Sequence, residues 1–216
     1  MRTFLGFPTV DHRHVFAIAL PMIVSNIAAP LLGLVDTAII GHLPDAIYLS
    51  AVAVGAMVVS FIYLLAVFLR MATTGYIAQS YGAEDLSAQR QHFNNGVIIA
   101  LILGLVIAFA SPWINDAAMW VVAPSAELEP YAREYIRIRL WSAPAALMTL
   151  VALGVLLGRQ NSRKAMLLVI ITNAVNVVMD IVLIIGLDLN VKGAAWASLI
   201  AEWVTAIVGF YWTARA

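Results

Sequence analysis

Two aspartates sit inside apolar stretches of this chain. Asp36 lies in LLGLVDTAIIGHL and Asp180 in NVVMDIVLIIGL, each seven residues before a leucine, Leu43 or Leu187, that closes its stretch. A carboxylate deep in an apolar helix is costly, and such residues face a bundle interior or a water-filled path rather than lipid. Asp180 also belongs to a stripe. Asn173, Asn176 and Asp180 are spaced i, i+3, i+7, one face of a helix, with Thr172 beside them and Ile, Val, Leu and Met around the rest. Farther on, Ser198 falls at a similar depth in the next apolar segment, and Glu202 lies one turn deeper. Two carboxylates in one low-dielectric cavity compete for charge, because burial and like-charge repulsion both disfavour the second ionisation. Such a pair takes up and releases protons as a unit. That is the chemistry of a proton relay, or of a weak monovalent-cation site built from Asp36, Asp180 and Asn176. The same acidic cavity attracts an organic cation. The plainer alternative is a structural carboxylate held by Asn or Ser on a neighbouring helix. It applies to Glu202 as readily as a cavity role does.

These residues need long apolar helices to position them, and the composition supplies them. The chain has 216 residues, of which 63% are hydrophobic and 11% charged, and a mean hydropathy of +0.94. A soluble domain is about half apolar and a quarter charged. The excess runs along the whole chain, so this is a multi-pass membrane protein rather than one with a single anchor. Each crossing needs about 20 apolar residues, and six segments qualify: approximately 14–41, 46–80, 91–114, 129–158, 163–187 and 193–213. Strand alternation is absent, and segments this long are not barrel strands. The expected fold is an all-α polytopic membrane helix bundle. The second segment is too long for one crossing, and Pro144 is placed to kink the fourth. The apolar run after Arg13 is too long for a signal-peptide core, so it is expected to remain as the first helix.

Basic residues set the orientation. An inside N-terminus puts Arg2, Arg13, Arg90, Arg159, Arg163, Lys164 and Arg215 inside, and Arg133, Arg137, Arg139 and Lys192 outside. Seven against four favours a cytoplasmic N-terminus. On this reading the arginines of REYIRIR are interfacial anchors, with Glu127, Glu129 and Glu134 near enough to pair with them. Trp113, Trp120 and Tyr131 form part of an interface belt. With that orientation, Asp36 and Asp180 ride on two outward-running helices, both about 10 Å below the outer surface.

Several functions are excluded. Net charge is zero, which gives nothing to attract nucleic acid. Cysteine is absent, so there is no disulfide, thiolate metal site or cysteine nucleophile. The four histidines have no ligand spacing, and neither HExxH nor a nucleophile with its base is present, which argues against an intramembrane enzyme. No cofactor is expected.

The segments LVDTAIIGHL, TTGYIAQSYGAED, AREYIRIR and NAVNVVMDIVLIIGLDLNVKGAAWASLIAEW resemble the MATE (multidrug and toxic compound extrusion) transporters, most closely the DinF-like subgroup. They occur in the family's order and cover nearly the whole chain. The resemblance implies a twelve-helix parent in two six-helix lobes, of which residues 1–216 match the N-terminal lobe. The second lobe is absent, or supplied by a second chain. It implies antiport of drug-like cationic or amphipathic small molecules against protons, in a bacterial inner membrane. Asp36 matches the family's helix-1 aspartate, Asn176 and Asp180 its helix-5 pair, and Ser198 a position often held by threonine. Pro21 matches a proline linked to bending of helix 1, with Pro30 a second candidate hinge. Two departures stand out: Leu32 replaces a tyrosine of some relatives, and LLGRQNSRKAM lacks the family's usual Gly-Asp-Thr run. The alternatives are sodium coupling, a flippase for a lipid-linked precursor and a non-transporting scaffold. A flippase requires a more basic cavity than the acidic one expected here.

Overall fold

The computed structural model describes residues 3–4, 7–8, 16, 19–24, 27, 38–41 and 45–214. Asp36 and Pro30 lie outside them. Thr3–Phe4 and Phe7–Pro8 form a two-stranded antiparallel hairpin with Phe4 opposite Phe7. All other regular structure among the described residues is helical. Residues 19–24 and 38–40 are helical within the first expected segment. Among the described residues, five further helices are long and apolar enough to cross a membrane: Ala46–Gly82, Leu86–Phe109, Glu129–Gly158, Ser162–Gly186 and Asn190–Ala214. They are called here the second to sixth spans. With the first segment they make an all-α, six-helix membrane bundle.

The fourth span is the axis of the bundle. Its apolar window is 61% buried, against 17% for the third span, and it packs on the second, third and sixth. Small residues permit the close approach. Gly154 and Gly158, one turn apart, lie against Thr73 and Ile77 of the second span, so close that a Cβ at Gly158 would stand 2.8 Å from Ile77. Gly104 of the third span lies against the backbone of Pro144.

Pro144 breaks the fourth span into Glu129–Arg139, a 3-10 turn at Leu140–Ser142 and Ala143–Gly158. Proline has no N–H to give the Leu140 carbonyl. The Ala143 N–H turns to that carbonyl instead. This frees the carbonyl of Arg139, which accepts from the Ser142 hydroxyl at 2.6 Å and from the Tyr63 hydroxyl at 3.4 Å. The kink thus places a polar knot at mid-span.

The third span departs from the expected 91–114. It runs Leu86–Phe109, capped by the Asp85 carboxylate on the Ala88 N–H. After Ala110 a separate helix, Ser111–Val122, begins with proline in its first turn. The first part of the expected loop at 115–128, up to Val122, is therefore helical. Pro112 can start a helix but cannot continue one, and Asn115 secures this helix by donating to the Arg133 carbonyl at 2.9 Å. Trp113 and Trp120 point outward, 73% and 84% exposed, as interface-belt residues do.

Candidate functional site

The fifth span carries the predicted stripe. Asp180 is 2% exposed and Asn176 7%. Asn176 donates across to the Ser198 hydroxyl of the sixth span at 3.4 Å. Asn176, Asp180 and Ser198 are all engaged in further interactions. Asn173 is half-buried, and its Nδ2 has no hydrogen-bond partner among the described residues. The sixth span approaches because Gly193 faces the Leu183 carbonyl, where a Cβ would stand 3.1 Å away. At Asp180 the α-helix gives way to a π-helical turn, Ile181–Gly186. Wide turns of this kind recur at functional sites. Asp36, the expected partner of Asp180, lies outside the described residues. Pro21 is buried, and the neighbouring Met22 lines a small cavity with Arg70, Leu153 and Met166.

Glu202 is not a bare acid in an acidic cavity. Its Oε1 accepts from Arg139 Nη2 at 2.9 Å, and the two side chains are 18% and 11% exposed. Arg139 Nη1 donates to Ser142 Oγ at 2.8 Å. The guanidinium lies 5.9 Å from the centre of the Tyr63 ring, a cation–π distance. Tyr135 is buried beside Arg139 and Ser198, against Gly55. Arg139 is thus no interfacial anchor. Residues 132, 135, 136 and 139 form the buried face of their helix, and this spacing carries Arg139 inward while Arg133 and Arg137 stay outside. The i, i+3, i+4, i+7 pattern of Ala132, Tyr135, Ile136 and Arg139 was the signal for it in the sequence.

The acids around the start of the fourth span behave differently. Arg133 pairs with Asp116 at 2.6 Å and Glu129 at 2.7 Å, and Lys192 with Glu134 at 3.1 Å. At the other end of the bundle Arg159 donates to Gln89 at 2.9 Å, and burial pushes its guanidinium below the ordinary value. No group of three His, Asp or Glu side chains among the described residues can hold a metal ion.

A chamber of about 510 Å³ opens beside the ion pair. Arg139 and Glu202 line it together with the hydroxyls of Ser60, Thr149, Thr172 and Thr205. Thr205 donates to Thr172 at 2.8 Å, tying the sixth span to the fifth. The sequence stripe marked Thr172 only as a neighbour of Asn173. Ser142, Tyr63 and Thr205 gave no sequence signal, being single polar residues in apolar helices.

The family model described as MatE matches residues 21–182, well over half of the chain. The chain belongs to the MatE family. Among its relatives, DNA damage-inducible protein F of Escherichia coli is 45% identical over 205 residues, covering 95% of this chain and 45% of that protein. A probable multidrug resistance protein NorM of Thermotoga maritima is 26% identical, covering 90% of this chain and 42% of its own. A crystal structure of MATE in complex with MaD3S superposes with a TM-score of 0.84 at 28% identity, over 92% of this chain and 45% of that one. This MatE chain therefore spans a little under half the length of the relatives it matches. The matched segment starts at Pro21 and ends just past Asp180, so Asp36 and the Asn173–Asp180 stripe fall inside it, while Ser198 and Glu202 lie beyond.

Proposed function

We propose that this chain forms the N-terminal lobe of a secondary antiporter that exports cationic or amphipathic small molecules in exchange for protons. The observation that carries the reading is Asp180, 2% exposed in an apolar span and flanked by the Asn176–Ser198 hydrogen bond. Membership of the MatE family and the multidrug resistance name borne by one relative support the same direction. In the proposed cycle Asp36 and Asp180 share charge across the top of the lobe. Protonation from outside neutralises the pair, a bound cation loses its counter-charge, and the first helix repacks about Pro21 and Pro30. Asn173, Asn176 and Ser198 line the path. A second lobe, from the same or another chain, completes alternating access.

The membrane is taken to be a bacterial inner membrane, with the N-terminus cytoplasmic. Burial of Arg139 supports this orientation, because it removes one residue from the outer basic set. Arg90, Arg159, Arg163 and Lys164 remain at the opposite end, consistent with the positive-inside bias.

The test is proton release from the purified chain on adding ethidium, in wild type, Asp36→Asn and Asp180→Asn, with and without sodium. Release that disappears in both variants and ignores sodium is the expected result. Ethidium binding that requires sodium and releases no proton would replace protons with sodium as the coupling ion. Full release in Asp180→Asn would remove the aspartate pair from the mechanism.

A further inference from the structure

The Arg139–Glu202 chamber holds a cation of its own. A cavity that captures an organic cation inside a membrane offers a carboxylate and an aromatic face. Both are present here, and both are taken: Glu202 Oε1 by Arg139 at 2.9 Å, and the Tyr63 ring by the same guanidinium at 5.9 Å. The chamber's charged groups therefore sum to zero. Two atoms remain unsatisfied. Arg139 Nε, a donor, and Glu202 Oε2, an acceptor, are shielded from water and have no partner among the described residues. Arg139 as a whole is only 9% exposed. Around them stand four hydroxyl-bearing side chains and the apolar Leu64, Ala146 and Leu150. A chamber of about 510 Å³ lies in the range that takes drug-sized ligands.

We propose that this chamber is a binding site for amphiphiles without net charge, zwitterionic ones in particular, and that Arg139 is the residue that excludes simple organic cations from it. A turn of the two side chains on binding would present the Arg139 donor to an anionic group or acceptor and Glu202 Oε2 to a cationic group or donor. A ligand with one positive charge and nothing to offset it meets the guanidinium at short range in a low-dielectric space, where like charges repel strongly. The inference rests on reading this lobe as the small-molecule-binding half of a transporter. It differs from that reading in separating two sites: cations and protons at the aspartates, net-neutral amphiphiles at the ion pair one turn deeper.

The experiment compares rhodamine B, a zwitterion near neutral pH, with rhodamine B ethyl ester, the same dye with its carboxylate masked and a net positive charge. Binding is followed by fluorescence anisotropy in chain carrying Asp180→Asn, which removes the cation site at the aspartates, with the ion pair as in wild type or with Arg139→Gln, Glu202→Gln or both added. The quantity read is the ratio of ester Kd to zwitterion Kd. It should exceed one with the ion pair intact and rise further with Glu202→Gln, where the guanidinium is unopposed. It should move toward one with both added and fall at least ten-fold below the intact pair with Arg139→Gln, where Glu202 is free. If the chain with Arg139→Gln does not fold, the one with both added, with no charge left unpaired, still separates from the intact pair. The same ratio in every variant that folds, or an intact pair that prefers the ester, would overturn the proposal. Loss of the antiport reading has its own signature, since proton release can persist in full in Asp180→Asn while the rhodamine ratios still follow the charge series.

Discussion

Removing one partner of the Arg139–Glu202 pair should damage stability far more than removing both. At 2.9 Å and an effective dielectric near 20, the direct attraction is on the order of 6 kcal/mol. Desolvation of both groups offsets much of it. The side chains are only 11% and 18% exposed, so water cannot replace a lost partner. In Glu202→Ala the guanidinium keeps Ser142 Oγ and the Tyr63 ring but no counter-charge, and the expected loss is about 3–5 kcal/mol. Arg139→Met with Glu202→Leu takes both charges away and fills the space with apolar atoms. That double variant should lie within about 1 kcal/mol of wild type, or be more stable. Reversible unfolding by SDS in mixed micelles, followed by tryptophan fluorescence, measures all three proteins. A Glu202→Ala cost below about 1 kcal/mol would refute the reasoning, as would a double variant as unstable as Glu202→Ala.

Three smaller perturbations follow in the same assay. Gly158→Leu should cost about 1–3 kcal/mol by overpacking against Ile77, whereas Gly75→Ala, with no atom within 4 Å of the added Cβ, should gain about 0.5–1 kcal/mol from helix propensity. Thr205→Val loses the 2.8 Å hydrogen bond to Thr172, and a loss of about 0.6 kcal/mol, at most about 1.7, is expected for an interhelical bond in a membrane. Arg133→Ala breaks two surface ion pairs whose acidic partners are 73% and 38% exposed; its cost should stay within about 0.2–1 kcal/mol and vanish in high salt.

The sequence alone determined that this is a membrane helix bundle, because the apolar runs leave no other way to satisfy the backbone in lipid. It also placed Asn173, Asn176 and Asp180 on one helical face, since that follows from the 3.6-residue period. Spacing along a helix was legible for the same reason, because rise per residue is fixed. What lay across from each polar group was not. Arg139 read as a surface anchor since its neighbours Arg133 and Arg137 are both charged, and Glu202 read equally well as a paired structural acid or a cavity acid because its partner is 63 positions away. Only packing of the fourth span on the sixth brings them together. Only the missing N–H of Pro144, tightening the turn at Leu140–Ser142, frees the Arg139 carbonyl for Ser142 and Tyr63. Period and rise are properties of one helix and are written in its residues. Charge compensation is a property of two helices and their contact, and the tertiary structure decided it.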